Sequence, residues 1–128
     1  MLFTVTREGE VKLRLLEGNQ CGLSGDHTFR YEWSYASVDL DERNFVVDHH
    51  EVAKALLKWS KTHDFRGSCE QVVVAIGNIV LDHVHVNPPS GRLTVKLSGS
   101  VAANIKVEGE DRVFRDFSPK LYSERRKK

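Results

Sequence analysis

No stretch of this chain approaches the ~20 consecutive apolar residues of a membrane-spanning helix, so no membrane insertion is expected. Cysteine is scarce, with only Cys21 and Cys69. The opening residues MLFTVTREGE lack the layout of a signal peptide. Two thiols in a chain without an export signal are expected to stay reduced, which points to a cytoplasmic location. Charge of one sign is also lacking, since 19 Lys and Arg against 18 Asp and Glu leave +1. The balance is uneven, however. Five cations (Lys120, Arg125, Arg126, Lys127, Lys128) against one anion (Glu124) make residues 119–128 +4, so residues 1–118 carry −3. A mildly acidic body offers no nucleic-acid surface. The basic tail reads as a solvated, frayed terminus. Internal repeats and Pro/Ser-rich linkers are absent, so residues 1–118 are expected to form a single domain followed by a basic C-terminal tail at 119–128. A chain of 128 residues, 40% hydrophobic, is large enough to bury its own core.

What is present is periodicity. Residues 2–6 and 11–16 read as strand, with Val11, Leu13 and Leu15 alternating against Lys12 and Arg14, and with Gly9-Glu10 placed as a turn between them. Residues 18–26 carry three glycines plus Asn, Ser and Asp, and read as a loop. Phe29, Tyr31, Trp33 and Tyr35 recur at period two within 28–38, which places four aromatics on one face of a strand. Their reading is packing against helices, because no basic pattern surrounds them to make a base-stacking platform. A helix starts after Asp48, with Glu51 three residues on for a capping box and with Val47 and Val52 as a hydrophobic staple. Its apolar stripe is Val52, Ala53, Leu56, Leu57 and Trp59. Ser68 and Gln71 make a second capping box. The stretch 72–84 is β-branched enough for a strand but has helical spacing and excessive length for a strand, so it reads as a buried helix ended by Pro88-Pro89. Residues 92–98 and 101–108 read as strands joined at Ser98-Gly99-Ser100, with Leu93, Val95 and Leu97 on one face. The element order is ββααββ, an α+β class.

Several of these segments together resemble the 6-pyruvoyl- and 6-carboxy-tetrahydropterin synthase family. The similar segments are Cys21-Gly-Leu-Ser-Gly-Asp-His27-Thr-Phe29, Phe45-Val46-Val47-Asp48, Ser68-Cys69-Glu70 and Val107-Glu108-Gly109-Glu110. Family members show a Cys, a spacer, His-Gly-His and then a strand opening with an aromatic. The resemblance covers residues 3–109. It implies a T-fold with a four-stranded antiparallel sheet and two helices on one face. It also implies assembly into a homo-oligomer, a trimer or a hexamer of two stacked trimers, with a pterin- or purine-like ligand held between subunits.

The same resemblance implies zinc held by three histidines, a cysteine base, an assisting Asp-His pair and a glutamate that anchors the pterin ring. Little of that set is present. The first-strand histidine falls on Arg7, the first His of His-Gly-His falls on Gly25, and only His27 remains, as a remnant metal position. One imidazole is not a zinc site, so no cofactor is expected. The Asp-His pair falls on Asp64-Phe65, with His63 as a substitute base, and the anchoring glutamate falls on Leu97. The candidate catalytic residues are therefore Cys21, Asp64 and His63, and Glu70 is the candidate ligand-binding residue. Without a cationic neighbour, Cys21 is expected to hold its proton near neutrality. His49-His50 and His83-Val84-His85 read as helix-terminal surface residues. Two functions compete: a divergent member without zinc lyase activity, and a pterin or deazapurine-pathway lyase with chemistry rebuilt on Cys21, Asp64 and His63. Aldol chemistry through Lys96 ranks last, because alternation turns Lys96 away from Leu97.

Overall fold

The computed structural model describes residues 1–18, 24–85, 91–99, 103–116 and 123–126. Its elements are β1 (Phe3–Leu15), β2 (Gly25–Ser37), α1 (His49–Thr62), β3 (His63–Phe65), α2 (Cys69–Leu81), β4 (Arg92–Gly99), β5 (Ile105–Glu110), α3 (Asp111–Asp116) and β6 (Ser123–Arg125). The sheet order is β5-β4-β2-β1-β3-β6.

The α+β class and the ββααββ core hold, but the sheet is larger than expected. Six strands form a mixed sheet with three helices, in place of four antiparallel strands and two helices. β5, β4, β2 and β1 each run antiparallel to the neighbouring strand in this order. β3 then runs parallel to β1 through Arg14↔Asp64 and Leu15↔Phe65, and β6 pairs antiparallel with β3. Three-residue strands such as β3 and β6 are too short to show periodicity, so sequence alternation does not find them.

Strand alternation makes the core. Phe29, Trp33 and Tyr35 are fully buried and Tyr31 nearly so, and Leu13, Leu93, Val95 and Leu97 flank them on the same face. α1 packs over β1, and α2 over β4 and β5. The other face of the sheet carries Lys12, Arg14, Arg30, Lys96 and Glu108, all exposed. Gly9 and Glu10 do not turn. β1 runs through them, pairing Gly9 with Tyr31 and Glu10 with Arg30. The glycine is explained by packing, since a Cβ there would lie 2.5 Å from the Tyr31 hydroxyl.

Asp48 caps α1 by accepting from the backbone N–H groups of His50 and Glu51. Val52, Leu56 and Ser60 make the buried face, whereas Leu57, placed in the stripe by its sequence, is 53% exposed. The capping box of α2 is complete: Ser68 Oγ accepts from Gln71 N, and Gln71 Oε1 accepts from Ser68 N at 2.8 Å. Ten of the thirteen α2 residues are buried, so its valines are satisfied by packing on all sides. At Gly77 a Cβ would meet the Phe114 ring at 2.5 Å, which is how α3 reaches α2. Asn78 Nδ2 donates to Val74 O and Phe114 O, both at 3.0 Å. Pro88 and Pro89 lie outside the described residues, as do residues 100–102 of the expected second hairpin. β5 starts at Ile105, not at 101.

The turn before α1 is organised by Asp41, whose carboxylate accepts from Phe45 N at 2.9 Å, Arg43 N at 2.8 Å and Arg43 Nη2 at 3.1 Å. These donors, the Phe45 amide foremost, hold the Asp41 carboxyl below its ordinary value. A depressed folded value means that the stabilisation is present above the ordinary carboxylate range and is lost as pH falls through the folded value. Asp41→Asn should therefore be less stable than the wild type at pH 7, with the gap closing on acidification. Urea midpoints measured from pH 7 down to pH 2 check this. Gly9→Ala should cost about 1–3 kcal/mol by overpacking against Tyr31, and the cost should shrink in a Tyr31→Leu background. A residue in an open turn would show no such coupling in the double-mutant cycle.

Candidate functional site

The long β1–β2 ladder decides where the implied metal position lies. Gly25 pairs with Leu15 and His27 with Leu13. Both leucines are core residues, 2% and 1% exposed. Arg7 instead pairs with Trp33, six residues along β1 from Leu13, which is about 20 Å at strand rise. Arg7, Gly25 and His27 therefore do not converge. His27 Nε2 lies 3.3 Å from Ser24 O. Arg7 Nη1 donates to His49 Nδ1 at 3.3 Å, and the His49 ring lies against that of His50 at 4.2 Å between centroids. Among the described residues no three His, Cys, Asp or Glu side chains gather as a metal-binding group. The donor set at the position implied for zinc does not fit the ion.

The other candidates separate in the same way. Asp64 is 8% exposed in β3, and its Oδ1 accepts from Arg126 Nε at 2.8 Å. His63 is its strand neighbour, and its Nδ1 bonds to Thr62 Oγ1 at 2.9 Å. Adjacent strand residues point to opposite faces, so the His63 and Asp64 side chains lie on opposite sides of the sheet. Phe65 and Leu97 are each 1% exposed. A ligand cannot reach either side chain without opening the core. Glu70 is exposed in the first turn of α2, where a negative charge suits the helix N-terminus. Lys96 lies on the sheet face opposite Leu97 and pairs with Glu32 at 3.7 Å. Cys21 lies outside the described residues. Sequence reasoning missed the Asp64–Arg126 contact, because 62 residues separate the partners.

What the structure does gather is charge on the exposed sheet face. A recess of about 540 Å³ is lined by Glu8, Arg30, Glu32, Lys96, Ser98 and Lys106. A second recess of about 470 Å³ lies between this face and the end of α1, lined by Lys12, Asp26, Thr28, Lys61 and Arg126 among others. Both present ionic groups of both signs beside apolar side chains, Tyr31 and Ile105 in the first and Leu57 in the second.

No family model matches the chain, and no curated protein matches it. Among solved structures it is similar to the 6-pyruvoyltetrahydropterin synthase of Plasmodium vivax and to two catalytic-residue mutants of that enzyme. The TM-score is 0.56 at 10% identity, over 86% of this chain and 99% of theirs. This chain has a T-fold like that of 6-pyruvoyltetrahydropterin synthase. At 10% identity the likeness concerns the fold, and activity has to be argued from the site. On this T-fold, the position implied for the anchoring glutamate is a core position. Leu97→Glu should therefore cost about 3 kcal/mol or more, because it loses leucine packing and buries a carboxyl. Leu97→Met should cost less than about 1.5 kcal/mol. Denaturant unfolding of the two variants checks this, and a well-folded Leu97→Glu would show that residue 97 faces a site.

Proposed function

We propose that this chain is a homo-oligomeric T-fold protein that does not run the zinc-dependent lyase reaction and that holds a pterin- or purine-like ligand between subunits. One observation carries the first half of the reading. The positions implied for the pterin anchor and the assisting histidine belong to the core, as Leu97 and Phe65, and those implied for two of the three zinc histidines hold Arg7 and Gly25. A lost catalytic residue could be replaced from nearby, but a fully buried leucine leaves no room at that place for the chemistry. The acid that is kept, Asp64, is engaged by Arg126, which works against a rebuilt lyase using Asp64, His63 and Cys21.

The sheet edges support assembly. Among the described residues, β5 has a neighbour on one side only, and β1 meets β3 only at Arg14 and Leu15. The outer edges of β5 and of most of β1 therefore present backbone donors and acceptors that a second copy can pair. Half-buried Phe3, Val5, Ile105 and Val107 stand on these edge strands, so edge joining would also bury apolar surface. The polar sheet face would then line the interior of the assembly and offer its recesses to a ligand with a hydrogen-bonding heterocyclic edge.

The purified protein should contain no stoichiometric zinc by elemental analysis. Light scattering should give three or six times the 14.6 kDa chain mass. Native mass spectrometry should show a bound heterocycle. One zinc per chain together with turnover of a dihydroneopterin-triphosphate-type substrate would overturn the reading in favour of the active lyase.

A further inference from the structure

Among the described residues, the contacts that tie Ser123–Arg126 to the domain are backbone pairing and ion pairs. β6 pairs with β3 through His63↔Arg125, Asp64↔Glu124 and Phe65↔Ser123. Arg126 N donates to Thr62 O at 2.7 Å. Arg126 Nε donates to Asp64 Oδ1 at 2.8 Å, and Arg66 reaches Glu124 at 3.6 Å. No side chain of Glu124, Arg125 or Arg126 belongs to the hydrophobic core. The Arg66–Glu124 pair is largely exposed, with side chains 46% and 62% accessible, and exposed pairs hold weakly and are screened by salt. The Arg126–Asp64 pair differs, because the Asp64 side chain is only 12% accessible. Arg126 also forms part of the wall of the recess beside Lys12, Asp26 and Lys61.

From these contacts we propose that residues 123–126 are a releasable strap, with the Arg126 guanidinium as its latch on Asp64. Closed, the strap neutralises Asp64, covers the outer edge of β3 and narrows the recess. Released, it bares the Asp64 carboxylate and the β3 edge at the side of that recess, while the core packing on the other face of the sheet stays intact. Asp64 is then a positioning residue for the strap in the closed state and a free carboxylate only in the open one. This inference does not depend on the ligand proposed above, because it concerns residues 123–126 of the chain itself.

Native-state hydrogen exchange of the full chain tests it, since amide exchange reads the population of local openings. Amides of 63–66 and 123–126 should exchange faster as sodium chloride is raised from 50 mM to 1 M, while those of α2 and β2 hold steady. Arg126→Ala and Asp64→Asn should each raise exchange in 63–66 and 123–126 by about tenfold or more at low salt, as expected for removal of one partner of a shielded ion pair. Both should leave only the part of the salt response carried by Arg66 and Glu124, and Arg126→Lys should restore part of the protection. If Arg126→Ala accelerates α2 and β2 amides together with those of β3, the segment is an integral part of the fold and the proposal fails. It fails equally if neither variant changes exchange at 63–66.

Discussion

The rest of the structure hangs on the alternation of β2. Phe29, Tyr31, Trp33 and Tyr35 occupy one face of a 13-residue strand. A one-residue slip against either neighbour would turn four aromatics to solvent. That penalty fixes the register of β1 along all of β2 and of β4 along eight residues. Each neighbour then has to present its own apolar set to the same side: Val11, Leu13 and Leu15 from β1, and Leu93, Val95 and Leu97 from β4. α1 and α2 pack on that side because it is the apolar one. The polar face, with its charged recesses, is what remains.

The same constraint acts on the positions where the resemblance implies site residues. A site residue reaching into the helix-facing side of these strands competes with packing for the same position. At residue 97 leucine holds the position, and phenylalanine holds 65. Each contributes buried apolar surface, worth roughly 1.5–3 kcal/mol for a large side chain. Each also removes a polar group that a metal or a heterocycle would need. A similar backbone, seen in a synthase of which 99% is covered by this chain, is compatible with that exchange, because the path of the sheet depends on alternation and not on which residue fills a site.

Much of the fold was legible because its signals are local. The aromatic alternation of β2 and the caps at Asp48 and Ser68 each lie within one short window, and each appears in the structure. The Val-rich stretch was ambiguous by propensity, and it is a helix because a complete capping box starts it and burial on nearly every side supports it. What escaped depends on tertiary partners. β3 and β6 are strands only because they lie beside β1 and each other. Gly9 reads as a turn until Tyr31 is placed over it. Leu57 fits the apolar stripe of α1 by spacing, but it falls outside the arc that meets β1. At the site, the resemblance puts Arg7 at a metal-ligand position, and the ladder sets Arg7 opposite Trp33, far along the sheet from Gly25 and His27.

Asp64 shows how a retained residue can change its role. A carboxylate this shielded is costly to keep charged unless something opposes it. With phenylalanine at 65 and His63 pointing to the other face, β3 offers Asp64 no cation of its own. The charge is met from 62 residues downstream, by Arg126. Its guanidinium is planar and permanently charged, and suits a carboxylate better than a lysine ammonium does. This accounts for a polar, basic segment with no core side chains lying as a strand against the domain instead of extending into solvent. It also ties Asp64 and the terminus together. The contact engages Oδ1 of Asp64 through Arg126 Nε, so on the reading proposed above the carboxylate is bared when residues 123–126 lift away.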